Sequence, residues 1–125
     1  MKKRTTARDY PRTARLNTLV REILGDELER IDDERLEFVT LTAVDVDGDL
    51  KRAAVYFDHS RGEEADEEII EAFEQLRHRL QAAIGRQARM RRTPELRFEV
   101  DQVVRHAERI DRVLRDLDGP GPSEA

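Results

Sequence analysis

Phe38-Val39-Thr40-Leu41-Thr42-Ala43-Val44-Asp45-Val46, then Asp47-Gly48-Asp49, then Ala53-Ala54-Val55-Tyr56-Phe57 is the stretch that decides the fold class. The first run is rich in β-branched residues and, read with period two, puts Val39, Leu41 and Ala43 on one strand face. Asp47-Gly48 favours the dihedrals that a hairpin turn demands, and Ala53 to Phe57 is the returning strand. A two-stranded ribbon is not stable alone in water, so the flanking segments must cover it.

Those flanks are helical. Pro11 suits a helix start, where its missing N–H is no loss. Leu16, Leu19, Val20, Ile23, Leu24, Leu28 and Ile31 then recur mostly three or four residues apart, through Gly25, with an exit at Asp32-Asp33-Glu34-Arg35. Beyond the hairpin, Asp58 to Gly62 leaves the sheet and a second helical stretch runs from about Glu63 to Arg91. Ile69, Phe73, Leu76, Leu80 and Ile84 line its apolar side, an acidic run suits its dipole at the start, and Gly85 marks a break or kink. Pro94 separates it from a short strand with Leu96, Phe98 and Val100 inward and Arg97 and Glu99 outward.

Val103, Val104, Ala107, Ile110, Val113, Leu114 and Leu117 describe a closing amphipathic helix whose apolar side is expected to pack on the domain. The order helix, strand, strand, broken helix, strand, helix predicts a two-layer α+β domain over residues 11–117, its helices on one face of a three-stranded sheet. Residues 1–10 read as a flexible basic arm and 118–125, with Gly119-Pro120-Gly121-Pro122, as a disordered tail.

At 125 residues without cysteine, the chain needs no disulfide staple and offers no thiolate for zinc or catalysis. No apolar stretch follows Met1-Lys2-Lys3-Arg4, so neither a signal peptide nor a membrane span is expected, and the cytoplasm is the expected compartment. His59, His78 and His106 fall in separate elements without metal spacing. Asp45, Asp47 and Asp49 lack the loop length and closing glutamate of an EF-hand. With no phosphate loop or nucleophile elbow either, no enzymatic activity, cofactor, metal or small-molecule substrate is expected, and a monomer is.

The net charge of -5 hides an uneven distribution. Residues 1–25 carry +5, 26–75 carry -13, 76–105 carry +5 and 106–125 carry -2. Arg77, Arg79, Arg86, Arg89, Arg91 and Arg92 fall within sixteen residues, and Arg97 faces out of the adjoining strand. Arg86, Arg89 and Arg92 share one helical side if the helix runs that far. Guanidinium forks match phosphate oxygens, and such contacts bind RNA with little regard to sequence. The competing account pairs these arginines with the acidic block 26–75, either as a salt-laced surface or as a module that docks a protein partner on that block. Six aromatic side chains, none of them tryptophan, offer no paired stacking platform, so RNA shape and backbone are the expected target.

The sequence resembles the ribosome-binding factor A family over about residues 10–117. The match runs in order through Arg12 and Arg15 ahead of the long helix, Val39-Thr40-Leu41-Thr42-Ala43-Val44 with Asp49-Leu50, and Ala54-Val55-Tyr56. It then takes in Met90-Arg91-Arg92-Thr93-Pro94-Glu95-Leu96-Arg97-Phe98 with Asp101 close behind, its most specific part. The resemblance implies a KH-like domain of the second topological type. It also implies a non-enzymatic factor that binds the free 30S ribosomal subunit and promotes late maturation of 16S ribosomal RNA, with a link to growth in the cold. Arg12, Arg15, Arg77, Arg79, Arg86, Arg89, Arg91, Arg92 and Arg97 are the candidate RNA contacts. Ordinary KH domains clamp nucleic acid with a Gly-x-x-Gly loop, and this chain has none. The family usually bends its helix pair at a small residue two before a glycine, where this chain has Leu76-Arg77-His78. The bend therefore either forms there without a glycine or moves to Ala82-Ala83-Ile84-Gly85.

Overall fold

A computed structural model describes residues 10–118, with side chains from 13 to 117. Of the expected arm over 1–10 and tail over 118–125, Tyr10 opens a helix and Asp118 ends one, and the other residues lie outside the described residues. The elements are α1 (Tyr10–Glu29), β1 (Val39–Val46), β2 (Arg52–His59), α2 (Asp66–Gln75), α3 (Arg77–Gln87), β3 (Glu95–Val100) and α4 (Gln102–Asp118), with short 3-10 turns at Glu34–Leu36 and Glu63–Ala65. The sheet order is β1-β2-β3, antiparallel between β1 and β2 and parallel between β2 and β3. This is the α+β, KH-like arrangement expected. No helix among the described residues is long and apolar enough to cross a membrane.

One sheet face carries the core. Ala53, Val55 and Phe57 of β2 and Leu96, Phe98 and Val100 of β3 are buried, with Val20 and Leu24 of α1, Ile69 and Phe73 of α2, and Leu80 and Ile84 of α3. The Phe73 and Phe98 rings stack at 4.8 Å, and Phe57 meets Phe73 at 5.2 Å, fixing α2 against the sheet.

The register corrects the strand reading at one residue. A β-bulge falls between Leu41 and Ala43, so Leu41 lies opposite buried Phe57 whereas Ala43 lies opposite Tyr56 on the other face. Val44 and Val46 take over the core side, because an extra residue flips everything beyond it. The hairpin turn also differs from the simple Asp-Gly form. The Leu50 N–H donates to the Asp47 carbonyl at 2.9 Å, and the positive φ (62°) falls on Leu50, not on Gly48.

The helix break lies at Leu76, not at Gly85. Leu76 has φ -97° and ψ 1°, a bridge conformation open to any L-residue, so the bend needs no glycine. Gly85 remains inside α3, where a Cβ would stand 3.2 Å from Thr93 Oγ1 of the following loop. The helix also stops earlier than its apolar period suggested: α3 ends at Gln87, and Ala88 is extended (ψ 138°).

The largest correction concerns α4. Val103, Ile110, Val113, Leu114 and Leu117 are between 46% and 77% exposed, so its apolar side faces away from the domain. Its opposite, polar side makes the attachments. Arg105 grips Asp66, with both groups mostly buried, and sets the helix's roll, while Arg109 adds an exposed pair with Glu63.

Gly25 sits inside α1 with nothing within 4 Å of where a Cβ would stand. Gly25→Ala should therefore stabilise the domain by about 0.8–1 kcal/mol, the ordinary helix-interior difference. Gly85→Ala should gain less or lose, because of Thr93. Denaturant midpoints of the two variants beside the parent test both.

Candidate nucleic-acid interface

The arginines of the α3 region separate into two groups once their partners are seen. Arg79 and Arg86 lie on α3 where it packs against α1, and both turn to Glu27. Glu27 is 4% exposed, and Arg79 Nε donates to its Oε2 at 2.8 Å, while Arg86 and Arg30 stand 3.8 and 3.5 Å away. A buried carboxylate is costly without such partners. Three guanidinium groups thus surround this one carboxylate. Arg77 is held by Glu74 and by Glu95. Arg97 points from β3 to the face away from the helices, paired with Glu99 at 3.3 Å. Pairing with the acidic block 26–75 thus holds for Arg77, Arg79 and Arg86, whereas the partner of Arg97 lies on its own strand.

The other group is unpaired among the described residues. Residues 88–94 form a loop in which Ala88 and Pro94 are buried and Met90 packs on the core, while Arg89, Arg91 and Arg92 between them are exposed. Buried anchors alternate with exposed cations, so the loop cannot turn its arginines inward without extracting its apolar residues. Its ends are tied as well. Ala88 N–H donates to Ile84 O at 2.8 Å, Glu95 N–H to Lys51 O at 2.9 Å, and Leu96 N–H to the Gln81 side chain at 3.2 Å. Arg89, Arg91 and Arg92 have no ion-pair partner among the described residues. Because α3 ends at Gln87, they do not share a helical side with Arg86. Arg15 is exposed on α1, and Arg12 belongs to the same helix with its side chain outside the described residues.

Sequence reasoning missed a second charged cluster, where β2 ends and α2 and α4 begin. The His59 ring is fully buried. Its Nδ1 accepts from the Arg61 N–H at 3.1 Å, which leaves Nε2 to donate to Asp66 Oδ1 at 2.6 Å. Arg105 grips the same carboxylate with both terminal nitrogens, at 2.7 and 2.9 Å. Arg105, with help from His59 and against the effect of burial, holds the Asp66 carboxyl below the usual carboxylate range. Arg105 lies 39 residues beyond Asp66, and only the fold brings it to the His59–Asp66 pair.

The family model for ribosome-binding factor A matches residues 12–114. A ribosome-binding factor A of Rubrobacter xylanophilus is 40% identical over 109 residues, covering 86% of this chain and 88% of that protein. The crystal structure of ribosome-binding factor A from Thermus thermophilus resembles this one with a TM-score of 0.63 at 34% identity, covering 69% of this chain and 92% of that one. A homology model of the Thermus thermophilus factor, fitted into a cryo-electron-microscopy map of a 30S complex, resembles it with a TM-score of 0.55 at 33% identity. That match covers 65% of this chain and 86% of the other.

The Glu27 cluster generates a pH-dependent prediction. The Arg79 hydrogen bond holds the Glu27 carboxyl below its ordinary value, although burial pushes the other way. A depressed folded-state pKa gives stability that is full above the unfolded carboxyl's pKa and is lost as pH falls through the folded one. Glu27→Gln should lower the unfolding midpoint at pH 7, and the difference from the parent should shrink steadily on acidification below about pH 4.3. Thermal unfolding of both proteins across that range checks it.

Proposed function

Because this chain belongs to the ribosome-binding factor A family, we propose that it binds the free 30S ribosomal subunit and, without chemistry of its own, promotes late maturation of 16S ribosomal RNA. The observation that carries the reading is the anchored loop 88–94, with Arg89, Arg91 and Arg92 held outward and unpaired among the described residues. Exposed arginines on a pinned backbone bind phosphate with little ordering cost, and their planar forks donate two bonds to one anionic group. Arg15, on α1, extends this surface, as do Arg79 and Arg86, which stay about half exposed or more beside Glu27. Arg77 and Arg97, each held by glutamates, are secondary contacts. The family relationship supplies the partner, since a Thermus thermophilus member has been placed in a 30S complex.

The test separates charge from folding. Replacing Arg89, Arg91 and Arg92 together by glutamine should weaken binding to purified free 30S subunits about ten-fold or more. It should also flatten the slope of log affinity on log salt by roughly two to three units, if each arginine meets one phosphate. Thermal stability should stay within about 0.5 kcal/mol per site, because exposed cations without partners contribute little. Binding to the subunit across a salt series, beside thermal unfolding, reads all three. Unchanged affinity and slope would exclude this loop from the contact.

A further inference from the structure

Phe38 stands where folding gives no reason for an aromatic residue. It is 74% exposed, just before β1, and its backbone is left-handed at φ 65°. A glycine or asparagine adopts that conformation at little cost, whereas a bulky side chain is a genuine outlier there. The ring neither packs in the core nor relieves the backbone, and strain of this kind collects at binding sites.

The surroundings of Phe38 supply the second observation. It forms one wall of an open groove of about 880 Å³, and the other wall is the polar side of α4. Arg109, Arg112 and Arg115 succeed one another at three-residue steps along that wall. Arg109 and Arg115 have carboxylate partners, Glu63 and Asp111, but every member of those pairs is more than half exposed. Exposed pairs of this kind are held by little energy, so a competing phosphate displaces them readily. Arg112 has no ion-pair partner among the described residues. Arg105, also in the groove wall, stays committed to Asp66. Asp58, Glu63 and Glu108 are the acids that also line the groove. The neighbouring Asp58 carboxyl, with burial, raises the Glu108 carboxyl above its ordinary value.

We infer that this groove is a second RNA site, which takes a single-stranded segment with one base stacked on Phe38 and the following phosphates on Arg109, Arg112 and Arg115. It lies at the opposite end of the sheet from loop 88–94, because that loop leads into the start of β3 whereas α4 leaves its end. A flat aromatic face accepts any base, and the arginine row follows the backbone. The inference rests on the RNA-binding reading above but uses none of the residues that carry it.

The chain has no tryptophan, so Phe38→Trp makes a single reporter that keeps a stacking face. Titrating the full-length variant with a ten-nucleotide oligoadenylate at low salt should quench its emission. Phe38→Ala should weaken binding of the same labelled oligonucleotide roughly ten-fold, within the range found for losing one stacked base. Arg112→Gln with Arg115→Gln should weaken it several-fold and flatten the salt slope by about one to two units. Unquenched tryptophan at saturating RNA, or parental affinity in Phe38→Ala, overturns the site. Quenching by a polyglutamate peptide but not by RNA overturns it too, in favour of a protein partner. The loop variant of Arg89, Arg91 and Arg92 is assayed in parallel on 30S subunits. Its loss of subunit binding, beside unaltered Phe38 variants, would remove the groove alone. Subunit binding that is indifferent to the loop, beside a quenched tryptophan reporter in the groove, would remove the loop alone.

Discussion

The parallel pairing of β2 with β3 is the constraint from which the rest of the molecule follows. A parallel neighbour cannot be reached by a tight turn, so the chain must cross the sheet and begin again at the end where β2 began. α2 and α3 are that crossing, and their passage puts the helical layer on one face, where α1 packs beside α3 and over β1. The crossing also fixes where charge can appear. Its return delivers residues 88–94 beside Lys51, at the hairpin-turn end of the sheet. β3 then carries the chain forward, so α4 starts beside His59 and Asp66, near the exposed Phe38 at the start of β1. Two arginine-bearing surfaces are thereby held about 20 Å apart, the length of a six-residue strand.

The parts of this arrangement that rest on periodicity were legible in the sequence. The alternation of Leu96, Phe98 and Val100 predicted an inward face that the structure has, and the apolar spacing of α1 and α2 predicted theirs. Geometry that any L-residue adopts leaves no such trace. Leu76 turns the chain with ψ near zero and no special residue, and the bulge beside Thr42 adds one residue to a strand whose composition does not change. The glycine that looked like a hinge has a different use. Gly85 gives the arginine loop room to close over α3, with Thr93 Oγ1 only 3.2 Å from where a Cβ would stand.

The site was legible by type and illegible by partner. Loop 88–94 was visible as an arginine cluster, but an amino-acid string does not show which arginines are neutralised. One signal was present: Glu27 interrupts the apolar stripe of α1 between Leu24 and Leu28, and a carboxylate there must find cations from a facing element. Arg79 and Arg86, seven residues apart on α3, are those cations. This also explains how an acidic protein keeps a basic face. Part of the acidic block is engaged with arginines, through Glu27, Asp33, Asp66 and Glu74, while Arg89, Arg91 and Arg92, unpaired among the described residues, sit together on one loop.

The attachment of α4 carries a consequence for local stability. A 17-residue helix is close to the length at which an isolated helix is marginal in water, and this one is held only at its base. Asp101 accepts from the Val104 N–H at 3.1 Å, and Arg105 and Arg109 bind the domain, but the last two turns bury no apolar side chain. Amide hydrogens there exchange by fraying, at a free energy far below that of global unfolding, while those of β2, paired on both edges, wait for the whole domain to open. The domain is thus graded from a rigid centre to a terminal helix that can come apart and re-form while everything beneath it stays folded.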